Sequence, residues 1–408
     1  MYKRPESLED VYVNTSVLYQ DDLLPLPNSP VAASIYELFE RTYPATGHLA
    51  LMISIALASL CTDEERQSNI SLVAPPGHGK DTVGSQFSAV DFVEIFDYIS
   101  AAQFCLKYGG KYLIKLPTSL RRIPDGVRVV KKGRYVIKID RSEARDINGM
   151  FFIGTQMDQL FARSPELIAK TLSLFNALCE NGYCLYEDDY VGRYQFGSMM
   201  NPLKVGVIMM MVPEDLNHRV FSKRGYKERM VIIRHEYLDE ENKLHEDGIL
   251  RLYLPKSISL HEKVRSLLSF LDPKNPVTVQ IPEDYIPTLK SITKKIAQTR
   301  GEFGTRRAAR DVVRLIKGCA VLNKRSIVTK DDVILLNALS VMFSSDTANR
   351  LAFQLSLRSQ LGEDPSVITR VFRNWDQKPL YSEKTIKSMI QRLELEKIEV
   401  METLEAFI

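Results

Sequence analysis

The sequence has few cysteines and no long hydrophobic segment. Its 408 residues include five cysteines, an odd number without paired spacing. This pattern excludes a disulfide framework and a zinc knuckle, and it predicts reduced thiols in a cytoplasmic protein. No apolar region of a secretory signal is found near the amino terminus. The longest apolar run, residues 49–61, is too short to cross a bilayer, so we expect a buried helix there and no membrane partner.

A strong excess of charge is absent as well. The sequence has 54 Lys and Arg against 51 Asp and Glu, a formal net charge of +3, so a nucleic-acid surface has to be a local patch. Internal repeats and low-complexity tracts are not visible. The shares of hydrophobic residues, 45%, and charged residues, 26%, are those of an ordinary globular protein, and the length allows two or three domains.

Apolar runs that alternate with helical stretches predict an α/β fold with a parallel sheet. The expected buried strands are "ISLVA", "GMFFIG", "KVGVIMMMV" and "MVIIRHEY". Before them, residues 1–30 are polar and rich in proline, which predicts an irregular arm. The α/β core is expected to span residues 31–270, followed by a helical region at 271–346 and a C-terminal region at 347–408. Thr329, with two acidic residues after it, is predicted to begin a helix.

The stretch "APPGHGKDT" directly follows the first predicted strand. A strand, a glycine-rich turn and a helix in succession present backbone N–H groups and a helix dipole to an anion. Gly77 and Gly79 let the backbone approach phosphates closely, and Lys80 supplies a charge for the β and γ phosphates. The stretch therefore predicts a phosphate-binding loop. A glycine-rich turn that binds nothing is the alternative.

The loop departs at two positions from the usual pattern of Gly, four residues, Gly-Lys and then Ser or Thr. Ala74 takes the place of the first glycine, and Asp81 takes that of the hydroxyl residue that ligates Mg²⁺. Asp81 offers oxygen atoms that hold Mg²⁺ through water, or Thr82 substitutes for it. We therefore predict ATP and Mg²⁺ as cofactors. The predicted nucleotide-binding residues are Pro76, Gly77, His78, Gly79, Lys80, Asp81 and Thr82.

The order and spacing of the motifs resemble those of AAA+ ATPases, and within them the minichromosome-maintenance (MCM) helicases and their shorter relatives in archaeal mobile elements. The resemblance covers about residues 45–345 and extends to a winged-helix tail. It implies a five-stranded parallel sheet between layers of helices, a helical lid at 271–346 and a C-terminal winged helix at 347–408. The conserved N-terminal DNA-binding region of full-length MCM proteins has no room in this sequence.

The resemblance places Thr155 and Gln156, after "GMFFIG", where the family has its two Walker B carboxylates. In the family the aspartate belongs to the Mg²⁺ shell and the glutamate polarises the attacking water. A glutamine holds the water and cannot accept its proton. Val212 stands where sensor 1 carries Asn or Thr, and valine offers no hydrogen bond. Thr155 is thus the predicted metal residue beside Asp81, and the pattern implies ATP binding with weak or absent hydrolysis.

Two other segments compete for the Walker B assignment. "YVIKID" ends at Asp140 and lacks a second carboxylate, and "YCLYEDD" carries Glu187, Asp188 and Asp189 but follows a helix and predicts a hairpin. The resemblance places a pre-sensor-1 hairpin there, at residues 180–197, whose tip touches DNA in the family. Its acidic tip has the wrong sign for phosphate, and a solvated acidic loop is the alternative.

Two arginines resemble residues that act on a neighbouring subunit's nucleotide. "FSKRGYKERM" is similar to the segment with the arginine finger, which gives that role to Arg229, with Arg224 as the second choice. "GTRRAARDVVRL" resembles the lid helix with sensor 2 and selects Arg307, near Arg306 and Arg310. A planar guanidinium binds a γ-phosphate bidentately. These roles imply a homo-oligomeric ring or a partnership with an active AAA+ relative, and surface arginines on a basic face are the alternative.

Two basic regions are candidate DNA surfaces, with contacts of little sequence selectivity. Residues 121–141 predict two strands about a turn. The basic residues of that turn are Lys131, Lys132 and Arg134. In the tail, a first helix is predicted to end near Trp375, and Ser382 is predicted to cap a second helix that suits a DNA groove. Its basic residues are Lys384, Lys387 and Arg392. A solvated hairpin and a protein-docking winged helix are the alternatives.

Three functions are compatible with these motifs. The favoured one is an ATP-binding, MCM-like AAA+ protein that assembles on DNA in replication or mobile-element maintenance, with little turnover. An active ATP-dependent DNA helicase or loader is the second. A small-molecule kinase is the third, because "GKDT" occurs in P-loop kinases, but it leaves the lid helices, the finger segment and the winged tail unexplained.

Overall fold

Short apolar segments form the strands at the centre of the molecule. The computed structural model of the chain describes residues 23–109, 111–115, 127–129, 135–139, 145–188, 192–223, 226–251, 258–300, 305–343, 347–374 and 376–393. The strands are β1 (Asn69–Val73), β2 (Val93–Phe96), β3 (Lys111–Lys115), β4 (Val127–Val129), β5 (Tyr135–Ile139), β6 (Phe151–Gly154), β7 (Cys184–Asp188), β8 (Gly192–Phe196), β9 (Gly206–Met211) and β10 (Met230–Arg234).

Helices surround these strands and include most of the described residues after residue 258. The helices are α1 (Pro30–Thr42), α2 (Gly47–Leu60), α3 (Lys80–Ser85), α4 (Ala101–Tyr108), α5 (Asp158–Phe161), α6 (Pro165–Asn181), α7 (Arg219–Lys223), α8 (Asp239–Arg251), α9 (Ile258–Leu268), α10 (Ile286–Arg300), α11 (Thr305–Leu322), α12 (Lys330–Leu339), α13 (Arg350–Gln360), α14 (Val367–Val371) and α15 (383–393). All residues of α2 are buried, as predicted for the longest apolar run. Within the described residues, no helix is both long and apolar enough to cross a membrane.

The main sheet is parallel and has the strand order β10-β1-β9-β6-β2. In its register, Val73 at the end of β1 lies beside Met211 of β9 and Arg234 of β10. Strands β1, β6 and β9 are buried throughout, because a parallel sheet is covered on both faces. The α/β class and the parallel sheet are therefore confirmed. Four of its strands were expected from the sequence, and β2 was not.

Two hydrophobic cores cover the two faces of the main sheet. Successive side chains of a strand point to opposite faces. Ile70 and Leu72 of β1 accordingly belong to one core, with α1, α2 and α10–α13, whereas Val73 belongs to the other, with α4, α6 and the hairpin of β7 and β8. Leu23 and Leu26, within the irregular segment before α1, are buried in the first core. The helices after residue 283 thus lie where they were predicted and share a core with the sheet.

Two smaller antiparallel sheets contain the other segments considered for Walker B. Strands β4 and β5 form the predicted pair, with β3 added in the order β3-β5-β4, and β7 pairs with β8 as the predicted hairpin. The predicted tip residues Lys131, Lys132 and Arg134 lie outside the described residues, as does Asp140. Of the three candidate strands, β6 is therefore the one that runs in the parallel sheet.

The tail begins with α13 and ends, within the described residues, with α15. Helix α14 ends at Val371, four residues before the predicted end near Trp375, which lies outside the described residues. The Thr385 N–H donates to Ser382 Oγ at 3.1 Å, so Ser382 caps α15 as predicted. Thr329 also begins a helix as predicted, and Asp332 accepts a hydrogen bond from its N–H at 2.8 Å. All five cysteines are buried, and none of them forms a disulfide.

One buried arginine joins the ends of the described chain. Arg350, the first residue of α13, is 0% exposed, and its guanidinium lies 2.7 Å from the Glu40 carboxylate and 3.3 Å from that of Glu241. Its Nε donates to the Tyr381 hydroxyl at 2.7 Å, and that hydroxyl donates to Glu241 at 2.5 Å. Burial raises the pKa of the Glu241 carboxyl, and the Arg350 charge opposes that rise. The network fixes α1, α8 and the tail to one another.

We expect Arg350→Met to lower the free energy of unfolding by about 3–5 kcal/mol, because two buried carboxylates lose their cation. Urea denaturation at pH 7, followed by circular dichroism, measures this change. Arg370→Met, at an exposed arginine of the same tail, is the matched control and should stay within about 0.5 kcal/mol of the wild type. Equal stability of the two variants would contradict a structural role for the buried cation.

Candidate functional site

The glycine-rich loop connects β1 to α3 in a conformation that requires its glycines. Gly77 has φ 80° and Gly79 has φ 75°, in the left-handed region that glycine adopts without strain. A Cβ on Gly79 would lie 2.5 Å from the Tyr237 hydroxyl, whereas one on Gly77 would meet nothing within 4 Å. The loop therefore packs tightly on Tyr237 at one glycine and is open at the other. Pro76, Gly77 and Thr82 are exposed on the open side.

The loop lies at the carboxyl ends of β1 and β9, where the chain leaves the sheet in opposite directions. From β1 the chain runs to β2 at one edge, and from β9 it runs to β10 on the other side of β1. Open α/β sheets bind ligands in the crevice that such a reversal creates. The Ala74 N–H donates to the Met211 carbonyl at 3.1 Å, so the first residue of the loop is fixed to the end of β9.

Lys80 is the cation of this crevice and has few partners. It is 5% exposed, and its ammonium lies 3.5 Å from the Asp81 carboxylate. An ammonium group has three N–H donors. Asp81 Oδ1 is buried and accepts no hydrogen bond from the described residues. Burial raises the pKa of the Asp81 carboxyl, and Lys80 opposes the rise. A nearly buried cation beside an open glycine loop fits a polyphosphate, and Asp81 offers an oxygen ligand for its Mg²⁺.

The residues predicted for hydrolysis lie at the same edge of the sheet. Thr155 follows β6 and is 6% exposed. Its hydroxyl donates to the carbonyl of Phe96 at 3.4 Å. Phe96 belongs to β2, so the hydroxyl lies on the side of β6 that is away from β9 and β1. Gln156 is exposed and accepts a hydrogen bond from Gln159 at 2.5 Å. Val212 follows β9. None of the three predicted residues brings a carboxylate to Lys80.

Two aspartates that the sequence analysis missed also act on this crevice. Asp158 lies in the first turn of α5, and Asp215 lies in a 3-10 turn after β9. Burial raises the pKa of the Asp215 carboxyl, and the charges of Asp158 and Glu214 raise it further. The hydrogen bond from the Val212 N–H and the charge of Lys80 lower it. Lys80 likewise lowers the pKa of the Asp81 carboxyl, and Asp158 raises it. Within the described part of the chain, no group of three or more His, Cys, Asp or Glu is arranged to hold a metal by itself, so a cation here needs phosphate oxygens as well.

A layer of histidines supports the loop from behind. His48 Nε2 lies 3.0 Å from His235 Nδ1, and the Tyr237 N–H donates to His78 Nδ1 at 2.8 Å. The Tyr237 ring stacks on His78, with 4.9 Å between centroids, and it also contacts the His245 ring, with 4.6 Å between centroids. Burial lowers the pKa of His48 to about 3 and that of His245 to about 4, and it holds the pKa of His235 well below 6.5. At pH 7 the layer is therefore neutral.

The two predicted trans-acting arginines lie together at the other end of the sheet. Glu180 joins them, with Oε2 3.3 Å from Arg229 Nε and Oε1 3.0 Å from Arg307 Nε. A pocket at this position is lined by Gln67, Asn69, Glu180, Arg229, Arg307, Arg310, Asp311 and Arg314. Asn69 begins β1, and about 13 Å of strand separates it from Val73. The pair is thus remote from Lys80 of its own chain.

The remaining predicted residues are spread over the surface. Lys384, Lys387 and Arg392 are exposed on α15, while Ile386 and Met389 of the same helix are buried. Arg306 is exposed beside Arg307, and Arg224 lies outside the described residues. No protein-family model matches the chain, and neither does any curated protein. The interpretation of the site therefore depends on its geometry.

We expect acid to destabilise the fold through the histidine layer. The folded-state pKa values of His48 and His235 lie below 6.5, so only the unfolded chain gains their protons as the pH falls from 6.5 towards 4. The free energy of unfolding should then fall by up to about 1.4 kcal/mol per pH unit for each histidine. His235→Asn should give a shallower decline in urea titrations between pH 7 and pH 4.5. Above pH 7.5 the two curves should run parallel, and identical slopes below pH 6 would exclude this role.

Proposed function

We propose that the chain is an ATP-binding protein of the AAA+ type, related to MCM proteins, that assembles on DNA and hydrolyses ATP slowly or not at all. In this proposal the sheet is the nucleotide-binding core, α10–α12 are the lid and the tail is a winged helix. One observation carries it: a left-handed glycine loop places the nearly buried Lys80 in the crevice at the carboxyl ends of β1 and β9. The residues that would hold the nucleotide are Pro76, Gly77, His78, Gly79, Lys80, Asp81 and Thr82.

Slow turnover is inferred from the residues around Lys80. Mg²⁺ bound with ATP would supply charge neutralisation at the phosphates. A positioned general base contributes about a hundredfold to ten-thousandfold in rate, and Gln156 has no basic oxygen for that task. Thr155 uses its hydroxyl on Phe96, and Val212 has no hydrogen-bonding side chain. These residues leave the binding contacts in place and remove the help to the attacking water.

The position of the arginine pair supports assembly. Arg229 and Arg307 are at the opposite end of β1 from Lys80, so a phosphate that they meet belongs to a neighbouring molecule. Their guanidinium groups suit a terminal phosphate, because each can donate two parallel hydrogen bonds. The neighbour is a second copy in a ring or an active AAA+ relative. In either case ATP on one subunit strengthens its contact with the next.

Lys80→Ala should abolish binding of a fluorescent ATP analogue, because the variant removes the cation that the phosphates contact. Fluorescence anisotropy in the presence of Mg²⁺ measures this loss. Lys290→Ala, at an exposed lysine of α10, is the matched control and should bind as the wild type does. An absence of binding by the wild type at millimolar analogue would refute the ATP site, and rapid steady-state hydrolysis by the wild type would favour an active helicase or loader.

DNA binding should depend strongly on salt and weakly on sequence, because exposed lysines on α15 meet phosphates. Replacing Lys384 and Lys387 together by alanine should flatten the slope of log K against log salt by about two units, close to one per lost phosphate contact. Lys290 and Lys294, both exposed on α10, provide the control pair. An unchanged slope after the α15 replacement would assign Lys384 and Lys387 to a solvated or protein-docking face.

A further inference from the structure

We propose that Asp215 supplies the carboxylate that directs Mg²⁺ to the phosphates of the bound nucleotide, at the place left without carboxylates by Thr155 and Gln156. The inference rests on the proposed ATP site. It concerns a residue outside the family pattern, three positions beyond the valine that replaces the sensor. Mg²⁺ commonly binds through one or two carboxylates, several waters and substrate phosphates, so a second carboxylate beside Asp81 suffices.

The sheet places Asp215 next to the phosphate loop. Strand β9 lies between β1 and β6, and the hydrogen bond from Ala74 to Met211 brings the segment after β9 to the first residue of the loop. The Val212 N–H donates to Asp215 Oδ2 at 3.1 Å, which fixes the carboxyl group. Asp215 is 8% exposed, whereas its neighbour Glu214 is exposed to solvent. The carboxylate is therefore held by the fold.

The excess of negative charge in the crevice favours binding of a divalent cation. Lys80 and Asp158 act electrostatically on both Asp81 and Asp215, so these four groups lie in one electrostatic environment. Glu214 acts on Asp215 as well. Four carboxylates thus stand against the Lys80 cation, and this excess of negative charge repels a polyphosphate. Lys80 nonetheless indicates an anionic ligand. It is nearly buried, and among the described residues its ammonium forms one ion pair, with Asp81 at 3.5 Å. Mg²⁺ would allow the carboxylates and a polyphosphate to lie close together, because it neutralises the negative charge of both.

The decisive experiment measures how nucleotide binding depends on Mg²⁺ in variants at two adjacent positions, Asp215 and Glu214. A fluorescent ATP analogue is titrated into the wild type, Asp215→Asn and Glu214→Gln, each with excess Mg²⁺ and with EDTA. Asparagine retains an oxygen that accepts the Val212 N–H, so the local turn is preserved. We expect Mg²⁺ to tighten binding to the wild type and, by nearly the same factor, to Glu214→Gln, because the Glu214 carboxylate is exposed and its charge is screened by solvent. In Asp215→Asn that gain should shrink about tenfold or more, while the affinity in EDTA stays equal or improves.

A second variant, Asp215→Glu, retains the negative charge. Asp215→Glu should keep at least part of the Mg²⁺ gain, which a purely structural role of the aspartate would not predict. An Asp215→Asn variant that loses affinity equally in Mg²⁺ and in EDTA would show a structural role and overturn the inference. The same Mg²⁺ gain in Asp215→Asn as in the wild type, or a wild type that binds equally well in EDTA, would also overturn it while leaving the ATP site intact. A wild type that binds no analogue in either buffer would refute the proposed function itself.

Discussion

A charge buried without water must be paired, and this constraint at Arg350 organises much of the molecule. Its partners Glu40 and Glu241 are themselves fully buried, so neither can relax into solvent if the arginine moves. Glu40 also accepts hydrogen bonds from the N–H groups of Ala45 and Gly47, at 3.1 and 3.0 Å. The same carboxylate thus fixes the tail and the start of α2. Thr46 lies between these two residues, and its methyl group would be 3.2 Å from a Cβ on Gly79. Thr46 thus connects the ion pair to the glycine loop.

The histidine layer extends this connection without adding charge. Arg350 lowers the pKa of His48 and His245, although burial is the larger cause. A protonated imidazole beside a buried guanidinium would be repelled, so the arginine and the neutral histidines form a consistent set. His48 contacts His235, and Tyr237 contacts His235 and His78. Phe353 of α13 stacks on His48, so packed rings connect the tail to the glycine loop.

Local patterns made the centre of the sheet predictable, and long-range placement explains what was missed. Strands β1, β6 and β9 are covered on both faces, so β6 and β9 are continuous apolar runs in the sequence, and β1 is apolar except for the buried Asn69 and Ser71. The edge strand β2 is half-buried and includes Glu94, and it gives no such signal. The glycine loop is a local motif. Asp215 reaches the loop only because β9 lies beside β1, and Arg350 is 310 residues from Glu40. Neither relation has a periodicity or spacing that a sequence displays.

The charges at the two ends of the sheet favour one kind of association. Around Lys80, the carboxylates of Asp81, Asp158, Glu214 and Asp215 outnumber the cation and leave an excess of negative charge. In the pocket at the amino end of β1, four arginines meet Glu180 and Asp311, which leaves two positive charges. A two-fold interface places each charged end against the same end of the other copy. A head-to-tail interface instead places the crevice of one copy against the arginine pocket of the next, and repetition of that contact forms a ring or a filament. The nucleotide that we propose at Lys80 would add negative charge to one side of such a contact. In the proposed assembly, the opposite charge of the arginine pocket would make that nucleotide part of the attraction between subunits.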